Sequence, residues 1–341
     1  MRVAIVNDLA LARELLRRVV LSVPGRVIAW TAADGDEAVR MTAADRPDVI
    51  LMDLVMPRLN GAEATRRIMR EGPCPILVVT STVSGHFDLV YQAMGAGALD
   101  AVETPVLAPG GGIAKAERLL DRLHQLDAAL HGVTGSGSLP TQSVTSKSVE
   151  LPRIIAIGVS TGGPSALPVV LGAFPKTLPA AVVIAQHLDA AFIPGLAERL
   201  AATCALPVRV ARSGDIPQAG TVYVAATNDH LELTPQLRLH YTEHPRSAPY
   251  RPSVDVLFQS LAAHSPRLGV GILLTGMGTD GAEGLLRMRA LGWHTIAQDE
   301  ASSVMFGMPK AAIGMNAAAE ILPLSFIGSA TAAHIRNGRT A

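Results

Sequence analysis

A serine lies in the segment IIAIGVSTGGP (residues 154–164), inside a G-x-S-x-G pattern that closes an apolar run. A serine hydroxyl is a weak nucleophile at neutral pH, so it needs a general base whose tautomer is fixed by an acid. The pattern alone also fits a glycine-rich turn at a helix N-terminus, in which Ser160 would have no catalytic part. The presence of a base and an acid near Ser160 therefore decides between the two interpretations.

Two candidate partners follow later apolar runs. The segment AVVIAQHL places His187 directly after one run, and GVGILLTGMGTDGAEG places Asp280 in a glycine-rich loop after another. Because parallel strands end at a common edge of the sheet, the two side chains and Ser160 are expected in one crevice. A lone histidine is usually structural and an Asp in TDG usually forms a turn. The three together favour a nucleophile, a base and an acid.

The order of the candidates along the chain separates them from one familiar class. Lipase-type α/β-hydrolases run Ser, acid, His, with the histidine late in the sequence. The late histidines here are His294, within the predicted strand WHTIAQ, and His334, near a predicted helix end. Neither is expected at a strand's carboxyl end, so the order Ser160, His187, Asp280 is preferred.

Polar residues also mark strand ends in the first part of the chain. Asp8, Asp53, Thr80 and Thr104 follow or end strand-like runs one, three, four and five. Converging carboxylates repel each other unless a cation lies between them, and oxygen ligands suit Mg²⁺. Taken singly, such aspartates would more often cap helices or end strands.

The length of 341 residues predicts two domains. Residues 131–150, HGVTGSGSLPTQSVTSKSVE, are rich in Gly, Ser and Thr and predict a flexible linker. It joins predicted domains at residues 1–130 and 151–338. In each, apolar runs alternate with amphipathic segments, which predicts an α/β fold with a doubly wound parallel sheet. Within the second, residues 214–241 predict a β-rich insertion of short antiparallel strands.

Composition narrows the functional classes. The chain has 29 basic and 29 acidic side chains, so the basic excess of a nucleic-acid-binding protein is missing. Its apolar runs are broken by Gly, Pro or charge before they reach a membrane-spanning length. We therefore expect a cytoplasmic protein with no nucleic-acid partner and no direct membrane insertion.

The segments VND, LMDLVMP, VVTS and TP resemble, in order and spacing, the receiver domain of two-component response regulators. The resemblance covers about residues 1–130 and implies a flavodoxin-like sheet. It implies that Asp53 is the phospho-acceptor and that Asp8 and Asp53 bind Mg²⁺. It also implies a metal contact from the Val55 backbone carbonyl and a switch role for the Thr80 hydroxyl.

Two positions depart from the usual receiver pattern. Asn7 stands where receivers usually have a second acid, and Thr104 stands where a lysine normally contacts the phosphoryl group. The missing lysine is expected to weaken phosphoryl stabilisation or its coupling to the switch. Both features resemble the receiver branch of Wsp-type surface-sensing systems.

After the linker, the segments IGVSTGGP, QHL, RPSVDVLF, LLTGMGTDGAEGL and TIAQDEASSVMFGMP resemble the chemotaxis receptor methylesterases of the CheB family. The resemblance implies a triad of Ser160, His187 and Asp280. It places Met277 where a backbone N–H helps to form the oxyanion hole. It also implies an ester hydrolysis that needs no metal or other cofactor.

The activity implied by the resemblance is hydrolysis of glutamate γ-methyl esters, with deamidation of glutamines, on the signalling helices of methyl-accepting chemoreceptors. A CheA-type histidine kinase is the implied phosphodonor, with Mg²⁺ required in the receiver. We expect the unphosphorylated receiver to restrict access to Ser160 and phosphorylation of Asp53 to release it.

Two other classes stay open at this point. A non-catalytic response regulator could use the second domain only to bind receptors, and a fluorophosphonate probe on Ser160 would distinguish it. A phosphorylation-regulated esterase of small molecules would prefer short soluble esters over methylated receptor. A DNA-binding output is disfavoured because no helix-turn-helix pattern or basic stripe follows the linker.

Overall fold

The computed structural model describes residues 1–81, 87–108, 112–131 and 151–337. The chain divides into two compact units, Met1–Gly135 and Ser136–Ala341. Of the predicted linker 131–150, only His131 lies in these ranges, as the last residue of a helix, so the flexibility of the linker stays a prediction. Across these ranges no helix has both the length and the apolar character needed to cross a bilayer.

The first unit is built on a five-stranded parallel sheet in the order β2-β1-β3-β4-β5. Its strands are β1 (Arg2–Val6), β2 (Val27–Ala32), β3 (Val49–Met52), β4 (Ile76–Thr80) and β5 (Asp100–Glu103), followed by a short hairpin of β6 (Val106–Leu107) and β7 (Ile113–Ala114). Its helices are α1 (Ala10–Leu21), α2 (Gly35–Ala44), α3 (Gly61–Glu71), α4 (Phe87–Gly95) and α5 (Glu117–His131).

The apolar character of these strands explains their central position. Every residue of β3 and β4 is buried, as expected of parallel strands covered by helices on both faces. Asp34 and Asn60 begin α2 and α3 by accepting a backbone N–H three residues further on. The strand order confirms the predicted flavodoxin-like fold and reverses direction between β1 and β3, where such folds bind ligands.

The second unit contains a seven-stranded parallel sheet in the order β10-β11-β9-β8-β14-β15-β16. The strands are β8 (Arg153–Val159), β9 (Ala180–Gln186), β10 (Val208–Val210), β11 (Val222–Val224), β12 (His230–Leu233), β13 (Leu239–Thr242), β14 (Val270–Leu273), β15 (His294–Gln298) and β16 (Glu320–Leu322). The helices are α6 (Gly163–Gly172), α7 (Ile193–Thr203), α8 (Val254–His264), α9 (Ala282–Ala290), α10 (Met308–Gly314) and α11 (Leu324–Asn337), with a 3₁₀ turn at Ala190–Phe192.

The predicted antiparallel insertion at residues 214–241 is only partly correct. β12 and β13 do form an antiparallel hairpin, but β11 belongs to the main sheet, where it lies parallel to both β9 and β10. All three residues of β11 are buried. A strand buried on both faces suits a helix-covered parallel sheet, whereas a half-exposed antiparallel strand would alternate apolar and polar residues.

The core beside the candidate site is formed where α8 packs against α9 and the sheet. Leu257, Phe258 and Leu261 of α8 belong to one buried cluster with Leu285 of α9 and Leu273 of β14. This cluster fixes the start of α8 relative to the loop between β14 and α9.

Phe258→Ala is expected to lower the free energy of unfolding of the second unit by about 3–5 kcal/mol, because a cavity replaces a fully buried ring. The matched control is Phe326→Ala, which removes an exposed ring of α11 and should change stability by less than about 0.5 kcal/mol. Urea unfolding followed by the fluorescence of buried Trp293, in a Trp30→Phe background, measures both. Equal losses in the two variants would contradict this packing.

Candidate active site

Ser160, His187 and Asp280 lie at the carboxyl edge of three neighbouring strands. Ser160 directly follows β8, His187 directly follows β9, and Asp280 lies in the loop between β14 and α9. Val159 and Gln186 are paired across β8 and β9, so Ser160 and His187 are the next residues on adjacent strands. The strand order reverses between β8 and β14, which makes this edge the ligand-binding position of the sheet.

His187 and Asp280 form a buried pair. The distance from His187 Nε2 to Asp280 Oδ2 is 2.7 Å, and the side chains are only 1% and 5% exposed. The other ring nitrogen, Nδ1, is buried and has no hydrogen-bond partner among the described residues. A neutral imidazole that donates from Nε2 has its acceptor at Nδ1. Any proton transfer to this histidine therefore takes place at Nδ1.

The carboxylate of Asp280 occupies the N-terminus of α8. Its Oδ2 accepts the backbone N–H of Val254 at 2.7 Å, and its Oδ1 accepts the Ser253 hydroxyl at 2.8 Å and the backbone N–H of Asp255 at 3.1 Å. Burial alone would raise the pKa of Asp280. The hydrogen bond and charge of His187 and the backbone donors outweigh burial, and the pKa lies below its usual value. The structure thus keeps Asp280 ionised beside His187.

The loop after β14 packs directly against Ser160. Ser160 is buried, and its backbone N–H donates to the Thr275 carbonyl at 3.0 Å. A β-carbon at position 276 would lie 2.8 Å from that of Ser160, so only glycine permits this approach. Met277, the next residue, is buried in the same loop. Gln186 ties the neighbouring strand to the serine by donating its Nε2 to the Ser160 carbonyl at 2.9 Å.

Tyr250 covers the imidazole. Its ring is stacked on that of His187 with centroids 4.6 Å apart and an interplanar angle of 4°. Its hydroxyl lies against Gly278, which has a φ of +85° and no space for a side chain. The sequence predicts no role for Tyr250 or Ser253. Their only signal is the segment RPSVDVLF, which contains Ser253 and directly follows Tyr250.

His294 and His334 lie elsewhere. Their rings are stacked at 4.2 Å, and His294 Nε2 is 3.1 Å from Glu320 Oε1. His294 is the first residue of β15, so it lies at the opposite edge of the sheet from the strand ends beside Ser160. These two histidines do not contribute to the candidate site.

The acidic pocket of the first unit surrounds Asp53, which directly follows β3. Asp53 Oδ2 accepts the Asn7 side-chain amide at 2.9 Å, and Oδ1 accepts the Leu54 N–H at 2.7 Å. Burial and the charge of Asp8 raise the pKa of Asp53 to about 6, against the lowering effect of backbone N–H groups and the Thr80 hydroxyl.

Thr80 and Thr104 are neighbours at the ends of β4 and β5. The Thr104 N–H donates to the Thr80 carbonyl at 3.1 Å, and both residues are buried. Thr104 Oγ1 is buried without a hydrogen-bond partner among the described residues. The Lys115 ammonium is paired with Glu103 at 3.0 Å.

The donors around Asp53 fit a hard divalent cation. Asp8, two residues beyond β1, is exposed, and Val55 is exposed two residues beyond Asp53. Two carboxylates and one backbone carbonyl are oxygen ligands of the kind Mg²⁺ takes while it keeps several waters. Within the described ranges no group of three or more His, Cys, Asp or Glu side chains is arranged to hold a metal.

A receiver-like unit with an acidic pocket and a second α/β unit with a buried Ser-His-Asp cluster define a response regulator with a hydrolase-type output domain. Comparisons with known proteins agree with this class. Residues 155–331 match the CheB methylesterase family, and residues 3–109 match the response regulator receiver domain. The chain therefore belongs to the CheB family.

Similarity to individual relatives extends over nearly the whole chain. Protein-glutamate methylesterase/protein-glutamine glutaminase 3 of Burkholderia orbicola is 52% identical over 340 residues, 98% of each chain. Protein-glutamate methylesterase/protein-glutamine glutaminase 2 of Cupriavidus metallidurans is 52% identical over 327 residues, 96% of each chain. The crystal structure of the Thermotoga maritima CheB methylesterase catalytic domain is 33% identical, has a TM-score of 0.51, and covers 55% of this chain and 100% of that chain.

Ser253→Ala removes both the N-cap of α8 and one donor to Asp280, and we expect it to cost about 1–2 kcal/mol of stability at neutral pH. The lowered pKa of Asp280 means that its contribution to stability is present above the pKa of the unfolded carboxyl. That contribution is lost as pH falls through the folded pKa, so the difference from wild type should shrink in acid.

Urea unfolding at several pH values measures this effect. The control is Ser329→Ala, which removes an exposed helix serine of α11 and should leave stability within about 0.5 kcal/mol. A Ser253→Ala loss that does not depend on pH would show that the cap, and not its bond to Asp280, carries the effect.

Proposed function

We propose that this chain hydrolyses glutamate γ-methyl esters, and deamidates glutamines, on methyl-accepting chemoreceptors. The observation that carries the proposal is the buried His187–Asp280 pair, 2.7 Å from Nε2 to Oδ2, whose two residues follow the strands on either side of the one that ends at Ser160. The printed names of the relatives give both activities for those proteins. The two substrates share an acyl group and differ in the leaving group, methanol or ammonia.

In the acylation step, Ser160 Oγ attacks the γ-carbonyl carbon while His187 Nδ1 takes the hydroxyl proton. The oxyanion is stabilised by backbone donors, with the Met277 N–H as one of them. The carbon–oxygen bond to methoxide, or the carbon–nitrogen bond to the amine, then breaks. His187 returns its proton to the leaving group, which departs as methanol or ammonia.

In the deacylation step, water attacks the glutamyl ester of Ser160. His187 removes a proton from the water and then donates it to Ser160 Oγ, which restores the free enzyme and leaves a glutamate carboxylate. Asp280 stabilises the imidazolium in both steps. No metal or other cofactor takes part in these steps.

The two ring nitrogens of the histidine have the opposite roles from those in the serine-protease triad. In that triad the acid binds Nδ1, and Nε2 takes the proton of the serine. Here Asp280 holds Nε2, and the free acceptor is Nδ1. His187 Nδ1 is not hydrogen-bonded to Ser160 among the described residues, and bonds of this kind commonly form only when the reacting group is bound.

The receiver supplies the regulation. Asp53 accepts the phosphoryl group from a CheA-type histidine kinase, and Thr80 and Thr104 respond to it at the ends of β4 and β5. Asp8, Asp53 and the Val55 carbonyl would hold Mg²⁺, which neutralises phosphoryl charge when it is bound. Phosphorylation opens access to Ser160 for the receptor's signalling helices. We place this reaction in the cytoplasm.

Methanol release from a receptor signalling domain with isotopically labelled methyl esters tests the proposal. We expect release by wild type, none by Ser160→Ala, and a loss of about ten-thousand-fold in Asp280→Asn, by analogy with the serine-protease acid. An active phosphodonor should increase release by wild type but not by Asp53→Asn.

Each result has a distinct meaning. Near-normal turnover by Asp280→Asn would remove Asp280 from the triad. Release that ignores the phosphodonor would retain the esterase and contradict the receiver switch. No release from any methylated receptor, with intact fluorophosphonate labelling of Ser160, would indicate another ester as substrate.

Thr104→Lys tests whether the absence of the usual receiver lysine at this position weakens the response to phosphorylation. A charge-assisted hydrogen bond contributes about 1.5–3 kcal/mol, so the lysine is expected to increase the response to phosphodonor about tenfold or more. Thr104→Met is the control because it adds length without charge. The measured quantity is the ratio of methanol release with and without phosphodonor. Equal ratios in the two variants would show that the cation is not what limits the switch.

A further inference from the structure

The first backbone N–H groups of α8 and of α9 are each bound by a carboxyl group from the region of the other helix. Asp280, just before α9, accepts the first two backbone N–H groups of α8. In return Asp255, the second residue of α8, accepts the Gly284 N–H of α9 on its Oδ1 at 2.6 Å. The start of α8 is therefore bound by an acid that lies just before α9, and the start of α9 by an acid within α8. The two helices also pack against each other through the buried core.

The carboxyl group of Asp255 lies next to that of Asp280, whose Oδ1 accepts the Asp255 backbone N–H and whose charge raises the pKa of Asp255. Two carboxylates in such a contact cannot both be ionised without strong repulsion, so they share one proton. Asp280 already has four donors, namely His187, Ser253 and the two backbone groups. An ionised carboxylate can use all four, whereas a protonated one cannot. The geometry therefore assigns the proton to Asp255.

The acid–base properties agree with this assignment. Burial and the charge of Asp280 raise the pKa of Asp255 to about 8, although two backbone N–H groups oppose the shift. The pKa of Asp280 is lowered. Two acids in contact are thus divided into one neutral donor and one anion.

We propose that Asp255 is a positioning residue of the active site, whose neutral carboxyl donates a hydrogen bond to Asp280 and holds that carboxylate against His187. The inference rests on the proposed function, because it assumes that His187 and Asp280 act in hydrolysis. When Asp255 ionises, the hydrogen bond is replaced by repulsion between two carboxylates. Asp280 then loses its fixed position, and turnover falls.

The other titratable groups around the pair do not provide the same response. His187 lies beyond Asp280 and bonds it through Nε2. His230 of β12 lies beside Ser253 and accepts its backbone N–H on Nδ1 at 3.1 Å, which requires a neutral ring. Burial lowers the pKa of His230, so this ring stays neutral as pH rises. Tyr250, stacked on His187, is retained in an Asp255 variant, so an alkaline loss of activity that substitution of Asp255 removes is attributed to Asp255.

Asp255→Asn is the informative variant because an amide can donate to Asp280 and accept from Gly284 at every pH. Asp255→Ala removes both bonds. The experiment uses the full chain and measures kcat and KM for methanol release from methylated receptor between about pH 6.5 and about pH 9.5. The rate of fluorophosphonate labelling of Ser160 is measured in parallel, with Ser160→Ala as the blank for both assays.

We expect wild-type kcat to fall about tenfold per pH unit above the ionisation of Asp255. The Asn variant should keep its neutral-pH activity within a few-fold and lose this decline. The Ala variant should lower kcat by up to about 100-fold, with little change in KM. A purely structural role would instead leave the pH profile of the Asn variant identical to that of wild type.

The inference is overturned if wild type shows no alkaline decline, or if the Asn variant declines as wild type does. Should the Asn variant fail to fold, the wild-type profile decides alone, since a flat profile refutes the ionisation. If no methanol is released but Ser160 labelling has the expected pH profile, the inference stands and the proposed substrate is wrong.

Discussion

The carboxylate of Asp280 accepts the first two backbone N–H groups of α8, the Ser253 hydroxyl and His187 Nε2. Taking an ion out of water costs several kcal/mol, and an unpaired ion would not stay charged in this position. Four donors and the positive end of a helix offset that cost. The orientation of the imidazole, the start of α8 and its packing against α9 all depend on this anion. The N-terminus of α8 thus both positions the Asp280 carboxylate and stabilises its negative charge.

The two units use one topological constraint for different chemistry. Each sheet reverses its strand order once, between β1 and β3 in the first and between β8 and β14 in the second. Loops diverge at such a point and leave a crevice at the carboxyl ends of the strands. Asp53 lies at the first reversal and Ser160 at the second. The chemistry of each unit then depends on the residues that follow the strands and not on the sheet itself.

The elements that carry the site were predictable because their apolar runs are continuous. β3, β8 and β9 are buried on both faces, and a polar residue directly after such a run has to lie at the sheet edge. This is why Asp53, Ser160 and His187 could be located from the chain alone. β11 was misassigned because a three-residue strand has too little pattern to separate parallel from antiparallel pairing.

Other features of the site depend on distances between segments far apart in the chain. The choice of Nε2 for Asp280 follows from where α8 begins, which no local pattern encodes. Asp255 has the appearance of an ordinary acid in the first turn of a helix. Its contact with a second acid exists only because α8 and α9 pack together. Tyr250 reaches His187 from a loop of no regular structure, and its stacking is likewise set by tertiary contacts.

Asp280, the proposed catalytic acid, also binds the first N–H groups of α8 and therefore contributes to the folding of its own domain. Ser160 Oγ could be lost without removing a helix cap, whereas loss of Asp280 would leave the first N–H groups of α8 unpaired in a buried position. If the catalytic activity were lost during evolution, the serine and the aspartate would therefore not be replaced equally easily. A descendant that kept only a binding role would be free to replace its serine, yet it would retain the aspartate as part of its scaffold.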